Sequence, residues 1–229
     1  MKANKDLGQH FLNDISVADD IVAAAALQSG EPVWEIGPGL GILSRQIIAT
    51  GARLKAFELD RRFEPILRTS FADKIELVMK DILRVDWDAE LAKETPVKLV
   101  ANIPYQITSP LLYKICEHSS SFSCIVMMMQ KEVAYRLQAS PATKDYGQIT
   151  LRIAMDWDIE LLFHVGKEKF DPSPQVDSAV IRMTPRKVKP HISNLDIFLR
   201  LINLAFAHRR KTLRNNLKVM LNKDQIDEL

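Results

Sequence analysis

Cysteine is scarce, with only Cys116 and Cys124 among 229 residues. Two are too few for a disulfide framework or a cysteine-based zinc site, so both are expected to be reduced packing residues. No apolar run approaches the ~20 residues of a membrane-spanning helix. The opening Met-Lys-Ala-Asn-Lys-Asp leads into no signal-type hydrophobic region, so a cytoplasmic location is expected, with no membrane partner. The five histidines show no metal-ligand spacing and none stands beside a plausible nucleophile, so no metal and no histidine catalyst are expected. Internal repeats and low-complexity tracts are missing too, which excludes solenoids and arrays.

What is present suits one full domain with a small appendage. Hydrophobic residues make up 47% and charged residues 26% of the chain, an ordinary balance for a globular protein. Net charge is only +2 but is unevenly placed. Residues 182–218 carry Arg182, Arg186, Lys187, Lys189, Arg200, Arg209, Arg210, Lys211, Arg214 and Lys218 against one acid, Asp196. A local excess of this kind fits a phosphate backbone better than a merely solvated helix face.

The stretch that organises the chain is Val33-Trp-Glu-Ile-Gly-Pro-Gly-Leu-Gly41. An apolar β-branched run enters a turn with Gly37, Gly39 and Gly41, and a helical pattern (Ile42, Leu43, Gln46, Ile47) leaves it. Strand, glycine turn and helix open a doubly wound α/β domain, and the missing Cβ atoms let backbone approach a ligand closely. A dinucleotide fingerprint would put glycine at position 42, where Ile42 stands. G-x-G-x-G preceded by Glu35 is the form expected for S-adenosylmethionine, which has ribose and adenine but no phosphates to seat on a helix N-terminus. A methyltransferase therefore stands ahead of a dehydrogenase.

The remaining motifs fall at the ends of expected strands. After a polar lead, residues 1–12, Asn13 or Asp14 can cap a helix that Gly30 ends. Strands are expected at 32–36, 53–57, 75–79, 97–101, 122–129, 157–165 and 176–184. Glu58 follows the second of them, twenty-one positions after Gly37, where an acid reaches ribose hydroxyls. Asp60 suits a capping role. Asp81-Ile82 follows the third strand, at the edge that holds an adenine, although Asp81 could equally cap the next turn. Asn102-Ile103-Pro104-Tyr105 ends the fourth, where ligands and chemistry gather, and Pro104 stiffens the loop. Met127, Met128 and Met129 lie in a continuous apolar run and are expected in the core. The loop Phe170-Asp171-Pro172-Ser173-Pro174 carries one aromatic that looks exposed. The whole reads as a mostly parallel seven-stranded sheet with an antiparallel edge hairpin. A domain boundary is expected in 185–190, giving a catalytic domain of 1–185 and a small basic helical domain of 186–229. There a basic helix is expected to begin at His208-Arg209-Arg210-Lys211.

With these motifs in place the chain resembles the small-subunit ribosomal RNA adenine dimethyltransferase family. The matches are Leu7-Gly8-Gln9-His10-Phe11-Leu12, Glu35-Ile36-Gly37-Pro38-Gly39-Leu40-Gly41, Glu58-Leu59-Asp60 and Asn102-Ile103-Pro104-Tyr105. Further on come Gln130-Lys131-Glu132-Val133-Ala134, Phe170-x-Pro172-x-Pro174-x-Val176-x-Ser178-Ala179-Val180 and Phe206-x-x-Arg209-Arg210-Lys211-Thr212-Leu213-Arg214-Asn215. They run in family order over almost the whole chain and are specific together. The resemblance implies a class I methyltransferase fold and methyl transfer from S-adenosylmethionine to N6 of adenine, twice per base. The implied target is two adjacent adenines near the 3′ end of 16S rRNA in the 30S particle.

The resemblance also implies roles. Gln9, His10 and Leu12 would border the cofactor, Gly37 and Gly39 would approach its methionine part, Glu58 and Leu59 its ribose, and Asp81 and Ile82 its adenine. Asn102 would lie between cofactor and target base, and Arg209, Arg210, Lys211 and Arg214 would hold RNA. Similar proteins continue with further helices beyond this point, so a shortened basic domain is expected. The protein is expected to be a monomer.

The chemistry suits these residue types. Adenine N6 is a poor nucleophile because its lone pair is delocalised, while a sulfonium is a potent methyl donor. Acceptors such as the Asn102 carboxamide and a carbonyl in the Ile103-Pro104 turn can align the amine and meet its developing charge. The base must leave its stack, and Tyr105 and Phe170 can offer it π-faces. Alternatives remain: a large-subunit rRNA adenine methyltransferase of the macrolide-resistance type, or a ribosome-assembly factor acting mainly by binding. The Arg209–Arg214 block favours the small-subunit enzyme over the first, and Asn102 with Tyr105 argues against the second.

Overall fold

The computed structural model describes residues 3–4, 7–208, 211–222 and 225. Its strands are β1 (Phe11–Leu12), β2 (Pro32–Ile36), β3 (Arg53–Glu58), β4 (Ile75–Met79), β5 (Val97–Asn102), β6 (Phe122–Gln130), β7 (Trp157–Val165), β8 (Phe170–Asp171) and β9 (Ser178–Pro185). The helices are α1 (Ile15–Ala24), α2 (Ile42–Ala49), α3 (Glu64–Phe71), α4 (Trp87–Leu91), α5 (Thr108–Glu117), α6 (Lys131–Leu137), α7 (Gln148–Asp156), α8 (Leu195–Ala205) and α9 (Leu213–Leu217).

Seven strands form one sheet in the order β4-β3-β2-β5-β6-β9-β7. Pairing is parallel from β4 through β6, and antiparallel between β6 and β9 and between β9 and β7. The expected edge hairpin is thus present, and β9 is its reversed strand, inserted between β6 and the outermost β7. Strand order reverses where β2 is flanked by β3 and β5, and in such sheets a crevice opens beyond the carboxyl ends at that point.

Helices cover both faces, which is why the central strands are apolar throughout rather than alternating. On one face Trp34 meets Phe57, Trp87 and Phe122 edge-on at centroid distances of 4.8, 5.4 and 6.0 Å, joined by Leu111, Leu112 and Ile115 of α5. On the other, Ile21, Leu43, Ile47, Phe63 and Leu67 pack beneath α1, α2 and α3. Met127 and Met129 enter the first core and Met128 the second, so the three methionines are core, each worth ~1.5–3 kcal/mol of burial. Cys124 is buried and Cys116 half-buried, and both are free thiols. No helix among the described residues is long and apolar enough to cross a membrane.

Four expectations need correction. The polar lead contains a strand, because Phe11 and Leu12 pair with Asp171 and Phe170 to form a separate two-stranded sheet. Helix α1, capped by Asp14, stops at Ala24 rather than at Gly30, since Ala26 takes a left-handed φ of 47°. The last strand starts at Ser178, not 176. In the basic segment helix α9 begins at Leu213 rather than His208: Thr212 is extended, and its hydroxyl accepts from the Asn215 N–H as an N-cap. Arg209 and Arg210 lie outside the described residues.

Candidate active site

The glycine turn that follows β2 is held from the side by β3. Gly37 donates its N–H to the Phe57 carbonyl at 2.9 Å, and Gly39 donates to the Glu58 carboxylate at 3.0 Å. Gly37 sits at φ 69°, a conformation that only glycine adopts cheaply. A Cβ there would meet nothing nearer than Pro104 at 3.8 Å, so the turn presents bare backbone to an open cleft. Glu58, 5% exposed, also accepts from the Asp60 N–H at 2.7 Å. Burial pushes its carboxyl above the usual range, against the pull of those backbone donors. A carboxylate has about four lone-pair sites, so it keeps capacity for a ligand hydroxyl.

Glu35 is buried deeper, at 1% exposure, and accepts from the Ser44 hydroxyl of α2 at 2.6 Å. Burial, opposed by Ser44 and reinforced by the charge of Glu58, pushes it up to about 8. The floor of the site therefore holds two poorly solvated carboxyl groups, which suits a cationic ligand. Asp60 behaves oppositely. Arg62 and then Gln9 hold its carboxyl down at about 2, and its side chain also caps the turn through Arg62 N–H.

Two adjoining clefts open over this floor. The first brings together Gln9, His10, Leu12, Gly37, Gly39, Glu58, Asn102, Pro104, Tyr105 and Phe170. The other shares Gln9, Gly37, Glu58 and Pro104 and adds Leu59, Asp81 and Ile82. Every non-basic residue expected to touch cofactor or target base lines one or both.

Individual placements refine the expectations. The Gln9 carboxamide donates to Asp60 at 2.9 Å and accepts from Asn4 N–H at 2.8 Å, so it latches the N-terminal lead onto the β3 tip. Asp81 caps the next turn through Leu83 N–H at 2.9 Å and lines the second cleft as well. Leu59 is exposed, whereas Ile82 is packed. Phe170, which looked exposed, is 5% exposed. The pairing of β8 with β1 draws it under the lead, where it still lines the cleft.

Asn102 ends β5 and lines the first cleft. The next peptide is anchored by Ile103 N–H to the Met128 carbonyl at 3.0 Å. Among the described residues no group hydrogen-bonds the Asn102 carboxamide, so its oxygen and amine are available to a ligand. Tyr105, half-buried, meets His10 ring to ring at 5.6 Å, and His10 Nδ1 lies 2.7 Å from the Pro172 carbonyl. The glycine-motif acid Glu35, the Gln9–Asp60–Arg62 latch, Ser178 and the β1–β8 sheet were not picked out as site features. The sequence did signal Glu35 by its place before the turn, whereas a two-residue strand carries no periodicity to detect.

The basic residues lie elsewhere. Lys211 and Arg214 are exposed and line neither cleft. Arg182, Arg186 and Lys189 form ion pairs with Glu160, Asp158 and Asp156. Three of the ten cations counted along that segment are thus paired in space.

The strand order, the glycine turn at the switch point and the two-lobed cleft define a class I methyltransferase. Solved structures with this fold include a dimethyladenosine transferase from Plasmodium falciparum (27% identity, TM-score 0.77, covering 96% of this chain and 78% of that one). The 23S rRNA methyltransferase ErmE is also similar (26% identity, TM-score 0.71, 95% and 87% covered). The family model described as ribosomal RNA adenine dimethylase matches residues 1–229, and the chain belongs to that family. Relatives named ribosomal RNA small subunit methyltransferase A include those of Prosthecochloris aestuarii, 45% identical over 93% of this chain and 81% of the relative. That of Clostridioides difficile is 41% identical over 100% and 82%.

Proposed function

We propose that this protein transfers methyl groups from S-adenosylmethionine to N6 of two adjacent adenines near the 3′ end of small-subunit rRNA, within the 30S particle in the cytoplasm. The observation that carries the reading is the unengaged carboxamide of Asn102 at the β5 tip, beside a glycine turn shaped for close approach. Relatives at 41–45% identity named for the small subunit favour that target over the large-subunit one of ErmE. All the cleft residues come from a single chain, so a monomer suffices.

The residues of the two clefts fit S-adenosylmethionine. Glu58 would take the ribose hydroxyls, Asp81 and Ile82 would border the adenine, and Gly37 and Gly39 would flank the methionine part. When bound, this donor supplies a methyl group on a positively charged sulfur. The low-lying carboxyls of Glu35 and Glu58 offset that charge once they ionise.

The protein's own part is orientation and electrostatics. The Asn102 side-chain oxygen accepts one N6 hydrogen. The Pro104 carbonyl is already taken by Ile107 N–H at 3.1 Å, which leaves the Ile103 carbonyl to accept the other. Tyr105 offers a stacking face, worth ~1–3 kcal/mol. At each transfer a nitrogen–carbon bond forms, the sulfur–methyl bond breaks and one proton leaves nitrogen for water.

Residues 186–229 form, in this proposal, a separate basic unit whose Arg209, Arg210, Lys211 and Arg214 grip the RNA backbone. The test is labelled-methyl transfer to purified 30S and 50S subunits, with the modified base identified by mass spectrometry. Dimethyladenosine in 30S material is expected. Label confined to 50S would overturn the target, and no transfer at all would overturn the reading.

A further inference from the structure

Tyr105 is gripped at two points of unequal stiffness. Its ring rests against His10, which belongs to the lead and is only half-buried. Its hydroxyl lies 3.0 Å from the hydroxyl of Ser178. Ser178 is 1% exposed and begins β9, opposite Gln130 of β6 and Val165 of β7. A residue at the junction of three paired strands is fixed by backbone ladders on both sides, so its hydroxyl is a stationary anchor.

We propose that Ser178 is a positioning residue that fixes the plane of Tyr105, and that this hold governs the second methyl transfer more than the first. The proposal rests on the adenine-dimethylation reading above. Its logic is a count of hydrogen bonds. An unmodified N6 amine brings two N–H groups to two acceptors, the Asn102 oxygen and the Ile103 carbonyl. After one transfer a single N–H remains, a methyl group occupies the other position, and one anchoring bond is gone. Alignment of the monomethylated base then falls mainly on stacking, and a stacking surface orients a base only as well as it is itself held.

The same reaction runs at both steps. Nitrogen forms a bond to the methyl carbon, the sulfur–carbon bond breaks, the neutral sulfide departs, and one proton passes from nitrogen to water. Only the number of N–H anchors differs. The first step tolerates a ring that pivots about its Cβ, whereas the second does not.

The experiment uses the full chain and undermethylated 30S subunits with S-adenosylmethionine under single-turnover conditions. Monomethyl- and dimethyladenosine are resolved by mass spectrometry, and donor binding is followed separately by calorimetry. The variants are Ser178→Ala, Tyr105→Phe (which removes the same bond and keeps the ring) and their combination. The second transfer is expected to slow by about tenfold and the first by less than about threefold, so that monomethyladenosine accumulates. The double variant should be no worse than either single one, because both delete one interaction. Donor affinity should stay within about twofold.

Equal slowing of both steps, an unchanged product ratio, or additive losses in the double variant would overturn the proposal. Should Ser178→Ala fail to fold, Tyr105→Phe, altered in the half-buried helical turn after β5, decides the matter by its product ratio. Failure of the unmodified chain to methylate 30S adenine would sink the functional reading itself, whereas normal dimethylation by the variants sinks only this inference.

Discussion

The tips of β2 and β3 and the C-terminal helices stand at opposite ends of how a protein can present charge. At the tips, Glu35, Glu58 and Asp60 are each less than 10% exposed and each accepts a hydrogen bond from a named partner. In the C-terminal segment Leu195, Ile197 and Leu213 are 51, 49 and 57% exposed, and Lys211 and Arg214 are exposed as well. One region is preorganised, with side chains that cannot relax. The other has little packing to hold it and works at long range. Chemistry that needs alignment to fractions of an ångström belongs in the first, and capture of a polyanion, which needs only positive potential, belongs in the second.

The sharpest way to break this contrast is at the preorganised end. Asn102→Ala removes an acceptor matched to charge that develops on N6, and should slow methyl transfer by about 10²-fold or more, roughly 2.7 kcal/mol. Donor binding should change little. Single-turnover rates beside calorimetry test both halves, and a variant with native rates would discard the mechanism.

Next in size are the glycines of the turn, which separate fold from site. Gly41 stands at φ 80°, and a Cβ there would lie 2.5 Å from the Phe71 ring in α3. Gly41→Ala should therefore cost about 2–4 kcal/mol in denaturant unfolding, from left-handed strain plus overpacking. Gly37→Ala meets Pro104 only at ordinary contact distance, so it should cost about 1–2 kcal/mol of stability from left-handed strain and show its main effect as lost donor affinity. If the two variants lost the same property, the division between a packing glycine and a binding glycine would fall.

Much of this was legible from residue order. The central strands declared themselves because parallel strands covered on both faces are apolar throughout, and the glycine turn, Glu58 and Asn102 announced the carboxyl edge. What escaped has physical reasons. The β1–β8 pairing joins residues about 160 positions apart through two residues each, too short for any period to show. Its absence from the sequence reading is why Phe170 looked exposed. The charge of the C-terminal segment was overcounted for a related reason. Glu160, Asp158 and Asp156, which neutralise Arg182, Arg186 and Lys189, are distant in sequence and adjacent only once β7 and β9 pair.

A more gradual effect, again at the buried end, is in pH. Burial holds the folded-state pKa of Glu35 up at about 8, well above the 4.5 of a free glutamate. Between those values the unfolded chain has lost a proton that the native state keeps, so the native state binds more protons and stability falls as pH rises. Below about 4.5 and above about 8 this group contributes no slope. The slope between is at most about 1.4 kcal/mol per pH unit. Glu35→Gln keeps an acceptor for Ser44 and should flatten this decline, measured as Tm of the ligand-free protein between pH 5 and 8. A Tm profile unchanged by the substitution would show that Glu35 is already ionised in the folded chain. Asp60, held at about 2, acts the other way, and its contribution is lost only as pH falls below about 4 towards 2.

The smallest expected effect lies in the exposed segment, and it is the counterpart that completes the comparison. Lys211→Ala alters an exposed side chain, so unfolding free energy should stay within about 0.5 kcal/mol; Arg214→Ala joins it for the RNA measurements alone. Methyl transfer to saturating RNA should be unchanged, because neither residue lines the clefts. What should move is the salt dependence of RNA binding. Each neutralised phosphate contact contributes about 0.7–0.9 to the slope of log K against log salt, so each variant that loses one contact should flatten the plot by roughly that amount. Binding of a 16S rRNA fragment titrated from low to moderate salt gives the slope directly. A variant that weakens binding equally at every salt concentration would show that these cations hold something other than the phosphate backbone, and the long-range half of the comparison would then have to be abandoned.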